Sequence, residues 1–189
     1  MKRHSWIFVM MIALLACACN NKKKTAPVLT PTIEKETVAD STVYGTCGEN
    51  TAMHTLELIT DKGDSIVYLM EDTDSFSVVK GGLFVGDKIA VVSEKNAEGT
   101  LVAKEVINLT SLLGKWVSLD KNFDIREGGE VISTIKEPRP YTEWKILNGK
   151  LVLSADTFDI YSLGADSLYL ENAEGIFGYK RITKEAKSK

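Results

Sequence analysis

Side chains that ionise, ligate or attack are sparse in this 189-residue chain. Of its two histidines, His4 lies in a leader-like N-terminus, so a Ser-His-Asp relay would have to be built on His54 alone. A cluster of histidine metal ligands is excluded for the same reason. Cys47, Met53 and His54 are soft donors close in sequence, but Cys47 and His54 fall on separate expected strands without ligand spacing, so ordinary sheet packing accounts for them better. The carboxylate pairs Glu71/Asp72 and Asp72/Asp74 lie in a turn-like run where solvation explains them. The chain has no phosphate-cradling glycine loop and no dinucleotide fingerprint. The expectation is a protein that is not an enzyme and uses no cofactor or metal.

What the N-terminus carries instead is an address. MKRHSW is basic, Ile7 to Ala16 is an apolar run of ten residues, and small residues follow, as in a secretory signal peptide. A membrane-spanning helix needs roughly 20 apolar residues, so the run is too short to be an ordinary anchor. Leu14-Leu15-Ala16-Cys17 resembles the lipobox of bacterial lipoproteins, which implies that Cys17 is acylated and becomes the mature N-terminus. Ala16-Cys17-Ala18-Cys19 is a weaker rival, because it puts alanine where the pattern wants a large aliphatic residue. A soluble secreted protein cut nearby is the other alternative. More than one acyl chain on Cys17 is what stable anchoring requires. Residues 17–41, with Lys22-Lys23-Lys24 and a Pro-containing polar run, have the composition of a flexible tether. Ala18 in place of aspartate favours the outer membrane by resemblance to the sorting rule, and the lack of an acidic cluster after Cys17 favours its periplasmic leaflet.

Without residues 1–16 the chain keeps 21 basic against 26 acidic residues, a balance of −5, and no basic stripe interleaved with aromatics marks a nucleic-acid partner. Cys47 is the one cysteine of the folded part, so no internal disulfide staples it; a buried thiol is the simpler reading than pairing with Cys19.

The rest of the chain reads as strands. MHTLELIT, SIVYLM, KIAVVSE and LVAKEVI alternate or run apolar between DKGD, KGGLFVGD and KNAEGT, whose Gly, Asp and Asn suit tight turns. Residues 42–110 therefore predict five or six short antiparallel strands in a small barrel of the OB type, with a sandwich-like sheet as the alternative. Asn108 is positioned to cap about a turn and a half of helix, which connects to residues 111–183. There KWVSL, NFDIRE, EVISTIK, YTEWKIL, KLVLS, TFDIYSL, DSLYLE and IFGYKRI give eight candidate strands. Asn148-Gly149 predicts a two-residue type I′ hairpin, which pairs Leu147 with Lys150 and Ile146 with Leu151. Trp144, Ile146, Leu151 and Leu153 then share a face, joined by Phe123, Ile125, Phe158, Ile160, Leu168 and Leu170, while Asp124, Asp159 and Tyr169 point outward. The fold class is all-β: an OB-like barrel followed by an eight-stranded up-and-down barrel, with residues 184–189 as a tail.

LLGKWVSLD, EGGEVIS, YTEWKILNGKLVLS and LGADSLYLENAEGIFGYKR resemble the lipocalin-like domain of many lipoproteins of gut-dwelling Gram-negative bacteria. The resemblance covers Leu112 to Arg181, and the first half follows as its usual companion. It implies that Gly114 and Trp116 open the first strand and that Trp116 closes the barrel floor beneath a basic residue of the last strand, Arg181 or, by parity, Lys180. Such a cation–π pair is worth roughly 0.5–2 kcal/mol.

Strands of five to seven residues reach roughly 17–24 Å, and an eight-stranded barrel is just wide enough for side chains to fill. A filled core is thus the first reading of Trp116, Phe123, Trp144 and Phe158; a small apolar pocket lined by Phe123, Trp144 and Phe158 is the second. A fluorescent fatty-acid analogue is expected to bind weakly or not at all, and submicromolar binding lost in Trp144→Ala would overturn that. Asn108-Leu109-Thr110 has the form of an N-glycosylation acceptor, and Asp64-Ser65-Ile66 and Asp166-Ser167-Leu168 resemble O-glycosylation sites, but turn chemistry explains the latter two. Two function classes follow: a membrane-tethered structural or interaction lipoprotein docking an envelope protein, or a carrier or sensor for a small apolar ligand. A closed interior favours the first, and an apolar cavity of ~300 Å³ or more favours the second.

Overall fold

The computed structural model describes residues 39–71 and 77–182. The expected signal peptide, Cys17, Cys19, most of the expected tether, Asp72, Asp74 and the expected tail lie outside the described residues.

The first barrel is built from β1 (Val43–Cys47), β2 (Thr55–Thr60), β3 (Ser65–Met70), β4 (Val79–Lys80), β5 (Lys88–Lys95) and β6 (Leu101–Asn108). Its sheet runs β3-β2-β1-β5-β6, and β6 then pairs back onto β3, so five strands close on themselves in OB-like order. The expectation of antiparallel strands throughout needs correcting: β3 and β6 run parallel, Leu69 beside Val102 and Met70 beside Ala103, and the short β4 is also parallel to β6. An odd number of strands cannot close with every pair antiparallel, so one parallel seam is required. Inside lie Leu56, Leu58, Tyr68, Ile89, Val91 and Val106 with the thiol of Cys47. Along β2 and β3 these alternate with exposed or half-buried neighbours, whereas Ile89, Val91 and Val106 flank Ala90 and Ile107, which are buried on the opposite face.

Helix α1 (Leu109–Leu112) is a single turn, capped by the Asn108 side chain, which accepts from Ser111 N at 2.8 Å. The eight further strands are β7 (Gly114–Val117), β8 (Asn122–Ile125), β9 (Val131–Ser133), β10 (Trp144–Leu147), β11 (Lys150–Leu153), β12 (Asp156–Leu163), β13 (Ser167–Asn172) and β14 (Gly175–Arg181). Each pairs with its sequence neighbour except β9 with β10, and β14 returns to β7, so the up-and-down barrel is nearly closed. At the open seam a single bridge joins Glu130 and Glu143, with Val131 N donating to Thr142 O at 3.0 Å. Pro138 and Pro140 follow β9; proline offers no N–H to a ladder, and the chain leaves the sheet after only three residues of strand.

The hairpin register is Ile146 with Leu151 and Leu147 with Lys150. Asn148 and Gly149 both take positive φ, 50° and 79°, as a type I′ turn demands. The core gathers Trp116, Phe123, Ile125, Ile146, Leu151, Leu153, Phe158, Ile160, Leu168 and Leu170 with Leu112 of α1 and with Ala90 and Ile107 of the first barrel. Apolar packing thus continues from one barrel into the other. The described residues from Ala39 onward belong to one compact unit.

Candidate functional site

The second barrel has two unlike ends. At its floor, α1 leads straight into β7, and the Trp116 indole lies fully buried with Nε1 donating to Leu112 O at 2.9 Å. The Arg181 guanidinium stacks on the indole, 4.1 Å from the ring centroid. It also donates to three carbonyls: Leu113 O and Ala165 O, each at 2.6 Å, and Ser111 O. Two of these belong to the end of the α1 turn, whose last carbonyls have no partner within the helix. Burial lowers the Arg181 pKa from its ordinary value, and the guanidinium remains the charged donor. Gly114 makes this approach possible: its φ is +123°, and a Cβ there would sit 2.7 Å from Arg181 Nη1. Lys180 pairs with Val117 and Ser167 in the ladder and stands exposed.

The mouth is the opposite end, formed by the turns after β7, β9, β11 and β13. A cup of about 460 Å³ opens there. Its floor is aromatic, with Phe158, Phe177, Tyr141 and Tyr179, and Phe158 meets Phe177 edge to face at 6.0 Å between centroids. Leu119 lies on its rim, fully exposed. Asp120, Asp156 and Glu174 line it together with Lys121 and Arg139. Lys121 Nζ ion-pairs with Glu137 at 2.6 Å and lies 4.1 Å from the Tyr141 ring centroid. Burial, followed by the negative charges of Glu137, Asp120 and Asp156, pushes the Tyr179 phenol up to about 12. Tyr141 is raised further, by burial, by Tyr179, Asp156 and Glu137, and by a hydrogen bond with Asp156.

The three aromatics expected to line a pocket separate. Phe158 lies in the cup. Phe123 is buried beneath it, edge-on to Tyr141 and Tyr179 at 5.5 and 5.0 Å. Trp144 starts β10 beside the open seam, only partly buried, with Nε1 donating to Arg126 O at 2.6 Å. Parity directs it inward, but it stands opposite Gly129, in the turn that precedes β9, and the indole satisfies a loop carbonyl there. Leu119, Tyr141 and Phe177 were not anticipated; an apolar residue in the polar turn Ser118-Leu119-Asp120-Lys121 was the available signal.

Comparison with known protein families, with characterised proteins and with solved structures yields no match. The geometry alone speaks for the site.

A second polar assembly joins the barrels. The Asn148 amide oxygen accepts from Ser41 N and Oγ, both at 2.8 Å, and Asn148 N donates to Thr42 Oγ1 at 3.0 Å and Asp40 Oδ1 at 3.2 Å. Burial acts to raise the Asp40 pKa, but hydrogen bonds from Thr42 and Asn148 outweigh it and leave it low. Tyr44 OH donates to Ile146 O at 2.8 Å. Gly149 packs on Glu105, 3.2 Å from where its own Cβ would stand. Burial pushes Glu105 up to about 7, with Lys80 and Lys150 opposing the shift and Asp159 adding to it.

The remaining candidates do not converge. Cys47 is buried with its thiol 3.4 Å from Thr51 Oγ1, whereas Met53 is 84% exposed. Among the described residues no group of three or more His, Cys, Asp or Glu side chains is arranged to hold a metal. Asn108 is fully buried, its amide donating to Gly82 O at 3.0 Å and Asp87 Oδ2 at 2.6 Å, which shields it from glycosylation in the fold. Ser65 is exposed and donates to Glu57, and Ser167 lies half-buried at the start of β13.

Proposed function

We propose that this chain is a lipid-anchored envelope protein of structural or interaction type, in which two filled β-barrels act as one body on a tether beginning at Cys17. The filled interior of the second barrel carries the reading. Trp116, Phe123, Ile125, Leu151, Leu153, Leu168 and Leu170 occupy the space in which a calyx would hold an apolar ligand, each almost without solvent exposure. The inter-barrel contacts support a body that presents a fixed outer surface to an envelope partner. The resemblance of the second half to lipocalin-like domains of bacterial lipoproteins fits this, as does the lipobox-like run before Cys17. The proposed place is the outer membrane, facing the periplasm.

The test is expression in a Gram-negative host with labelled palmitate, followed by cross-linking and pull-down from the native envelope. The reading expects label in the wild type and in Cys19→Ala, loss of label and membrane association in Cys17→Ala, and a reproducible cross-linked partner. An unlabelled, soluble wild-type chain would overturn it. The cup at the mouth supports a second reading, a carrier or sensor whose ligand rests on the barrel rather than inside it.

A further inference from the structure

The cup is unlike the rest of the second barrel's surface because its charges are not matched. Lys121 is neutralised by Glu137, whose side chain is only 7% exposed, and the pair contributes no net charge. Among the described residues, Arg139 makes no ion pair, and neither do Asp120, Asp156 and Glu174. The lining residues therefore carry a net charge of −1 above an aromatic floor, and −2 once Glu137 behind Lys121 is counted. The floor already takes one ammonium on an aromatic ring, that of Lys121 over Tyr141. Aromatic faces attract cations through their quadrupole, and carboxylates at the rim add to the same potential. A carboxylate ligand would meet repulsion from three acids. A neutral apolar ligand would gain nothing from those acids and would desolvate them in part.

We propose that the mouth cup binds a small organic ammonium ion, a primary amine on an apolar body. The ammonium is held by Asp120, Asp156 and Glu174, and the body lies against Phe158 and Phe177. Burial raises the phenols of Tyr141 and Tyr179 first, and Asp156, with Asp120 for Tyr179, adds to the shift, a part of the negative potential the cation would feel. The assignment goes beyond the tethered-body reading and does not depend on it. It also differs from an apolar carrier in the charge it demands.

Three probes of similar shape separate the cases: phenethylamine, 3-phenylpropionate and the neutral 3-phenylpropanol, each titrated into the full-length chain near pH 7 by calorimetry. The expected result is saturable binding of phenethylamine, about tenfold or more tighter than either of the others, a difference of roughly 1.4 kcal/mol. The double variant Asp120→Asn/Glu174→Gln removes two exposed rim charges, and it should weaken the amine about fivefold or more at unchanged thermal midpoint. Equal or tighter binding of 3-phenylpropionate overturns the proposal. Equal binding of the alcohol overturns it while leaving an apolar carrier standing, and so does an amine affinity indifferent to the double variant. Binding of none of the three at millimolar concentration also overturns it, without touching the lipid-anchor experiment.

Discussion

The floor and the mouth of the second barrel are made from the same strands, yet they spend their polar groups differently. At the floor, one guanidinium answers three carbonyls and one indole, and a glycine leaves room for it. At the mouth, carboxylates face solvent around aromatic rings with no cation assigned to them. An end whose groups satisfy one another is closed, and it is costly to alter. An end with unmatched groups is cheap to alter and free to meet something else.

Trp116→Ala should produce the largest effect, because it empties the most deeply buried large ring and strands Arg181 above a void. A loss of about 3–5 kcal/mol in denaturant unfolding is expected, or failure to fold. Next comes Arg181→Ala, which leaves Ser111 O, Leu113 O and Ala165 O without their donor; about 1–3 kcal/mol should be lost in the same measurement. If either variant were as stable as the wild type, the floor would not be what closes the barrel.

Glu105 gives a smaller, pH-dependent effect at the seam between the barrels. Its folded pKa of about 7 lies above the ordinary glutamate value of 4.5, so the folded state holds the proton more tightly than the unfolded chain. The contribution is fully present below about 4.5 and is lost as pH rises through about 7. Asp40 has the opposite sign, its lowered pKa giving a contribution lost only as pH falls through the acid range. Glu105→Gln should flatten stability between these limits of Glu105 and raise the melting temperature at pH 8 relative to wild type. An unchanged pH profile would remove Glu105 from the seam. Smallest of all is Leu119→Ser at the mouth, where a fully exposed side chain supports nothing beneath it. The melting temperature should not move, whereas a marked fall would mean that the mouth is structural too.

The floor was the legible end. Gly114, Trp116 and Arg181 were expected there from the resemblance to lipocalin-like domains, and the Asn148-Gly149 turn sets a register directly. What periodicity could not supply was anything depending on where a strand stops or on which distant strands meet. The parallel β3/β6 seam joins segments 33 residues apart at Leu69 and Val102, and alternation has no direction in it. Strand β1, VYGTC, has a glycine and few large apolar residues, so it carries little signal by itself. Trp144 fits the inward parity but lies opposite Gly129, before β9 begins, where no strand pairs with it. The cup joins aromatic residues of β12 and β14 to turns distant in sequence, each of which reads as a solvated loop.

The filled interior is the central claim, and titration with a fluorescent fatty-acid analogue tests it most directly. The account predicts no saturable binding in the submicromolar range, since Trp116, Phe123 and their aliphatic neighbours already occupy the barrel. Saturable submicromolar binding that survives Phe158→Ala at the cup would contradict it.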